Sequence, residues 1–272
     1  MDRDKHTIRR VAVTGASGGI GAALLKAYAA PGVTIYACGR NREHLQSNAE
    51  AARAMGAQVE CDTFDVQDEQ TLRAWIDKAV GAGDLDGLLI NQGVAASSHT
   101  SAKGPVAETA DELLRELDVN ARATLLAANL AVAGILERRE NQHHFQLGLV
   151  SSMASYAGLP FCPGYSAGKA CVRVYGEALR RLLRSSNIGV TVICPGFVVS
   201  PMTDSFVGHK PLMVSAETAA RHIRAAMSAN RAACVFPWVM RLAVALLPLL
   251  PEALQNWALK PFGFSVTGKT RD

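Results

Sequence analysis

The chain has 272 residues, 49% of them hydrophobic and only 19% charged, below the roughly 25% charged residues of an average soluble domain, so it can bury a large core. Its 28 basic and 24 acidic residues leave a net charge of +4, and apart from pairs such as Arg138-Arg139 and Arg180-Arg181 the basic residues are scattered, which argues against a nucleic acid partner. The six cysteines form no C-x-x-C pair, the seven histidines form no H-E-x-x-H, and His143-His144 lies in a polar stretch, so neither a disulfide framework nor a metal site is expected.

In chain order, a charged N-terminus runs straight into a β-like segment with no apolar leader before it, an arrangement expected of a cytoplasmic protein. Seven strand candidates follow, at residues 8–14, 34–38, 58–64, 87–91, 147–151, 190–194 and 234–236. Several are continuous apolar runs, the pattern of a parallel sheet covered by helices on both faces. Between them, residues 20–30, 43–55, 69–80, 110–136, 168–184 and 216–229 have helical length and composition. The alternation predicts an α/β fold with a Rossmann-type doubly wound parallel sheet of seven strands.

The first strand candidate ends in Thr14-Gly15-Ala16-Ser17-Gly18-Gly19-Ile20-Gly21 and leads into a helix. Glycines let the backbone approach a pyrophosphate, and the helix start supplies amide donors. The second strand candidate ends at Cys38 and is followed by Gly39-Arg40-Asn41-Arg42. The acidic residue that would bind adenine ribose hydroxyls and repel a 2′-phosphate is missing there; Gly39 leaves room, and Arg40 together with Arg42 can pair with that phosphate. NADP is therefore expected over NAD. Further on, Ser152 is followed by Tyr165 thirteen residues later and Lys169 four after that. A helix starting at Tyr165 puts Lys169 one turn along on the same face. An ammonium about 5 Å away at an effective dielectric of 20 favours phenolate by roughly 3 kcal/mol, about two pKa units, which would bring the tyrosine toward the range useful for acid and base catalysis.

Taken together, T-G-x-x-x-G-x-G at Thr14 to Gly21, Asn91-Gln92-Gly93, Asn120 after Asp118-Val119, and the set Ser152, Tyr165 and Lys169 resemble the short-chain dehydrogenase/reductase family over about residues 8–236. The resemblance implies that Tyr165 exchanges a proton with the substrate oxygen, that Ser152 holds that oxygen, that Lys169 binds the nicotinamide ribose and lowers the tyrosine pKa, and that Asn120 holds a water of a proton relay. It places Gly15, Ser17, Gly19, Ile20 and Gly21 at the cofactor phosphates, Arg40 at the 2′-phosphate and Asp65 and Val66 at the adenine. Asn91 and Gly93 fall beside the adenine ribose, Pro195, Gly196 and Val198 at the nicotinamide, and Ser200 at its carboxamide or a phosphate. The chain departs from the family pattern at Gln92, where alanine is usual, at Gly168, where serine is usual, and at Ser200, where threonine is usual. Gln92 must point away from the cofactor or cover it.

After Phe236 the segment 237–251 is apolar but carries Arg241, Pro237, Pro248 and Pro251, so short broken helices are expected in place of a spanning helix. The chain thus divides into a catalytic unit, 1–236, and an apolar extension, 237–272. That extension closes the substrate pocket, packs in an oligomer, or lies on a membrane surface with Trp238 and Trp257 as anchors. Residues 201–211 are expected to form the substrate loop, with Met202, Phe206 and Met213 toward an apolar pocket. The reading is an NADP(H)-dependent oxidoreductase acting on a hydrophobic carbonyl or secondary alcohol and assembled as a homodimer or homotetramer. The alternatives are a catalytically silent cofactor sensor or scaffold of the same fold, and a sugar-nucleotide epimerase, which needs a longer C-terminal part.

Overall fold

A computed structural model describes residues 6–81, 85–95, 99–101, 104–138, 144–160, 162–208, 210–240, 246–259 and 264–266; Arg139, His143 and residues 241–245 lie outside them. The first half runs β1 Arg10–Val13, α1 Gly19–Tyr28, β2 Thr34–Gly39, α2 Arg42–Ala54, β3 Gln58–Thr63, α3 Glu69–Gly81 and β4 Gly87–Ile90. Two short strands, β5 His99–Ser101 and β6 Gly104–Val106, pair with each other antiparallel before α4 Ala110–Leu117 and α5 Ala123–Glu137. The second half runs β7 Phe145–Val150, α6 Pro163–Leu182, β8 Ile188–Pro195, α7 Pro201–Asp204, β9 Phe206–Gly208, α8 Ala216–Ser228 and β10 Ala233–Phe236.

Seven strands form one sheet in the order β10-β8-β7-β4-β1-β2-β3, with every pairing parallel. The predicted strands are all present, each within a few residues of its expected limits. Because successive side chains on a strand alternate faces, Ala12, Tyr36, Leu88 and Leu147 join the core beneath α3, α5 and α6, whereas Val11, Ile35, Leu89 and Ile193 join the core beneath α1, α2 and α8. Chain order reverses where β1 and β4 lie side by side, their partners including Val13 and Leu89. A crevice for a ligand opens at this point, beyond the carboxyl ends of the strands.

Two helices differ from expectation. The composition of residues 110–136 predicts one helix; instead, a π-helical turn, Asp118–Arg122, separates α4 from α5 and buries Val119 and Asn120. Such turns widen the helix locally and redirect its side chains. The ion pair between Arg122 and Asp118, 2.8 Å, lies along this turn. The other difference is α6, which begins at Pro163, five residues before the expected start at 168. Proline suits the first helical position because that turn needs no amide donor from it. Gly164 and Gly168, which weaken the helical signal, are packing sites: a Cβ at 168 would stand 3.1 Å from the Asn120 Cβ.

At the amino ends of the central strands, the buried Asp86 carboxylate accepts hydrogen bonds from the amides of Arg9 and Arg10, both at 2.6 Å, and so aligns β1 beside β4. Replacing Asp86 with alanine leaves those amides without that acceptor. The expected loss is about 2–4 kcal/mol, seen as a thermal midpoint lowered by roughly 5–10 °C with the cofactor site otherwise intact.

Candidate active site

A cavity of about 790 Å³ runs along the carboxyl ends of the strands. Its floor is the turn after β1. Gly15 and Gly19 have φ of 65° and 54°, a left-handed conformation that glycine adopts without strain. Gly21 does not line the cavity but lies under the turn, where a Cβ would be 2.1 Å from the Gly15 oxygen. Gly18 faces the cavity and a Cβ there would meet nothing within 4 Å, so the loop leaves clearance for a diphosphate. The Ala16 amide donates to the Cys38 oxygen, 2.9 Å, and the Asn48 amide group to the Ala16 oxygen, 3.2 Å, pinning the turn against β2 and α2. These features fit a dinucleotide.

Toward the β2 end, Arg40 and Asp65 both line the cavity and stand 3.6 Å apart as an ion pair, each nearly half exposed. Val66 lies beside them, buried. Arg42 does not belong to this wall: it lines a separate shallow cleft with Glu43, Gln46, Ser47 and Glu50. The pairing expected of Arg42 with a 2′-phosphate is therefore withdrawn, because the first turn of α2 points its side chain elsewhere.

Asn91 donates from its side chain to the Thr14 and Gly15 oxygens at 3.3 and 3.2 Å, joining the ends of β1 and β4. The sequence left two options for Gln92, and the structure selects one. Its side chain turns inward, with its oxygen accepting from the Thr14 hydroxyl and its nitrogen donating to the Thr124 hydroxyl at 3.1 Å. Gly93 must be small, since a Cβ would stand 3.2 Å from both Asn120 Oδ1 and Lys169 Nζ. Asn120 itself stands behind Gly93 and does not line the cavity. Its amide is engaged at both ends with Val94, accepting from the nitrogen at 3.0 Å and donating to the oxygen at 2.8 Å. In this structure it fixes the turn after β4.

Ser152, Tyr165 and Lys169 all line the cavity. Ser152 follows β7, Tyr165 sits in the first turn of α6, and Lys169 lies one turn further with Nζ 5.8 Å from the Tyr165 ring centre. Lys169 is 3% exposed, and its ammonium donates to the Val150 oxygen at 3.0 Å. Burial pulls Lys169 down to about 8, because a charged group is penalised away from water. The same cause pushes Tyr165 up to about 12, while its hydrogen bond with Ser152 pulls the other way. The expected lowering of Tyr165 is thus reversed here: desolvation dominates its shift, and Lys169 holds its own proton less firmly than a free lysine.

Pro195 ends β8, and the amide of Gly196, directly after it, donates to the Phe236 oxygen at 2.8 Å. Val198 is buried and bridges to Val214. The Ser200 hydroxyl caps α7 by accepting from the Thr203 amide at 3.2 Å. Met202 and Phe206 line the cavity as expected, but Met213 is 48% exposed and lies outside it. The extension lines the cavity with Met240, Leu246, Leu247, Leu250, Ala258 and Leu259; Leu247 belongs to a 3₁₀ turn, Leu247–Leu249, and Ala258 and Leu259 to a helix, Glu252–Leu259. Phe264–Val266 pairs antiparallel with β9, which ties the extension to the loop after β8. Cys162, Leu159 and Phe197 also line the wall; no spacing in the sequence singles them out, since their position depends on how α6 and the loop after β8 pack.

The family model for short chain dehydrogenases matches residues 9–210. An uncharacterized oxidoreductase of Myxococcus xanthus is 32% identical over 253 residues, 93% of this chain and 96% of that protein. Among solved structures, an actinorhodin polyketide ketoreductase with NADPH matches with a TM-score of 0.70 at 22% identity, over 83% of this chain and 95% of that one. A Mycobacterium paratuberculosis short chain dehydrogenase bound to NAD matches with the same score and identity, over 84% and 95%. These structural likenesses concern the fold. The chain belongs to the short-chain dehydrogenase/reductase family. It is an oxidoreductase acting on hydroxyl or keto groups. The comparisons lend no support to the membrane contact raised by the composition of the extension.

Burial of Lys169 has a measurable consequence. Between pH 8 and 10.5 the unfolded chain holds more protons at this position than the folded one, so stability rises with pH across that window. In urea denaturation of the ligand-free protein, wild type should gain on the order of 1–3 kcal/mol relative to Lys169→Met from pH 8 to 10; parallel curves would rule out the buried ammonium.

Proposed function

We propose that this protein is an NADP(H)-dependent reductase, reversible as an alcohol dehydrogenase, for a neutral hydrophobic carbonyl compound. The observation that carries this reading is that Ser152, Tyr165 and Lys169 line the same cavity as the glycine turn after β1. One end of that cavity has Gly39 and Arg40 and no acidic residue directly after β2, and the other is closed by apolar side chains. A bound nicotinamide ring supplies or accepts the hydride at the substrate carbon. In the reducing direction the Tyr165 hydroxyl gives its proton to the carbonyl oxygen, and the Ser152 hydroxyl donates a hydrogen bond to that same oxygen. As charge develops on Tyr165, the nearby Lys169 ammonium stabilises it.

Tyr165 is protonated at neutral pH, as any tyrosine is, and burial holds that proton more firmly still, the state required of an acid. The same residues also contact the cofactor in this reading: Lys169 the nicotinamide ribose, the turn from Gly15 to Ile20 the diphosphate, Asp65 and Val66 the adenine, and Pro195 to Val198 the nicotinamide. The set of reacting groups is complete, which counts against a silent sensor or scaffold. The extension, 237–272, acts as the closing wall of the substrate chamber in place of a separate domain. Exposed apolar side chains on α4 and α6, Leu114, Val174 and Leu182, fit self-association as a homodimer or homotetramer.

A Tyr165→Phe variant should lose at least about a thousandfold in kcat for ketone reduction while still binding NADPH, since the acid is removed and the fold is kept; full activity would reject the mechanism. Alcohol oxidation, which needs Tyr165 unprotonated, should keep rising with pH toward about 12, whereas reduction, which needs it protonated, should lose no acid until that range is approached. Leu247→Glu or Leu250→Glu should raise KM for a bulky apolar ketone roughly tenfold or more with little change in NADPH affinity. Equal loss of both affinities would show that the extension does not form the substrate wall.

A further inference from the structure

Near β2 the cavity wall comprises Ser17, Gly39, Arg40, His44, Phe64 and Asp65. The nitrogen-bearing cations and donors here are what a phosphate monoester on the adenosine ribose would meet. Arg40 lies within 3.6 Å of the Asp65 carboxylate, so part of its charge is offset before any phosphate arrives. Ser17 is packed over Gly39 so closely that a Cβ there would stand 2.9 Å from its hydroxyl oxygen, which leaves that hydroxyl at the wall.

Helix geometry decides which residue of α2 completes this group. Successive residues turn by about 100°, so residues two apart, such as 42 and 44, project to nearly opposite sides. Leu45 is buried in the core beneath the helix, and Asn41 fixes the first turn by accepting from the His44 amide at 2.9 Å. His44 accordingly lines the cavity, and Arg42 lines the other cleft. An imidazole offers one N–H donor when neutral and two with a positive charge when protonated, either of which suits a phosphate oxygen.

We infer that His44 is a cofactor-specificity residue whose ring, together with Arg40 and Ser17, receives the 2′-phosphate that NADPH carries and NADH lacks, and that Arg42 takes no part. The inference rests on the NADP(H) reading above and adds a ligand that the sequence motif does not contain. The test is calorimetric titration of the full-length protein with 2′,5′-ADP and 5′-AMP, which differ only in that phosphate, repeated with NADPH and NADH. His44→Gln should weaken 2′,5′-ADP and NADPH by roughly 5- to 20-fold and leave 5′-AMP and NADH within about twofold. Arg42→Gln should leave all four unchanged. Equal effects of His44→Gln on both fragments, no effect on either, or a selective loss in Arg42→Gln would overturn the inference. If wild type binds 2′,5′-ADP no better than 5′-AMP, the NADP(H) reading falls with it; discrimination left undiminished in His44→Gln removes His44 alone. His44 is on the exposed first turn of α2, and circular dichroism of each variant checks that the fold is retained.

Discussion

Every strand of the central sheet points the same way, and the site depends on that constraint. Parallel strands require crossovers that return the chain to the starting edge, so all loops leaving a carboxyl end gather on one side. The turn after β1, Arg40 after β2, Asp65 after β3, Asn91 to Gly93 after β4, Ser152 after β7 and Gly196 after β8 meet there despite wide separation in the chain. The reversal of strand order between β1 and β4 opens the crevice that they share.

Within that crevice, close packing and buried polar links govern the chemistry. Gln92 joins the hydroxyl of Thr14, at the end of β1, to that of Thr124, at the start of α5. It thereby connects the cofactor turn with the π-helical turn that carries Asn120. Small residues elsewhere permit contacts that a methyl group would block, as at Gly93 against Lys169 and Gly168 against Asn120. Dryness also sets the protonation states: burial moves Tyr165 upward and Lys169 downward, so both are biased toward their uncharged forms. In the mechanism proposed above, a protonated Tyr165 serves as the acid and Lys169 stands beside it.

The apolar extension adds its own side chains to the cavity wall. Its inner side chains, among them Leu247 and Leu250, face the chamber, while Trp238, Leu249 and Trp257 are strongly exposed. One short segment therefore both closes the cavity and leaves an apolar outer surface. Among the described residues, the stretch Ala110–Glu137 has the length and composition to cross a membrane, yet Ala127, Ala128 and Ala131 within it are wholly buried in the core beneath α3 and α6. Its apolarity is that of a core helix.

The sequence by itself determined the seven strands, the doubly wound order of elements and the group of residues at the site, because strand periodicity, glycine turns and the Ser152, Tyr165 and Lys169 spacing are local signals. It did not determine where α6 begins, since Pro163 and the two packing glycines read locally as breaks and become helical through contacts with α4 and Asn120. Nor could it choose between Arg42 and His44, whose directions are set by how α2 is seated, or the inward turn of Gln92. The sign of the Tyr165 shift was equally hidden: charge attraction can be read from spacing, but the opposing desolvation depends on how much of the folded protein surrounds the pair. Tertiary structure decided these points because each depends on contacts between segments far apart in the chain.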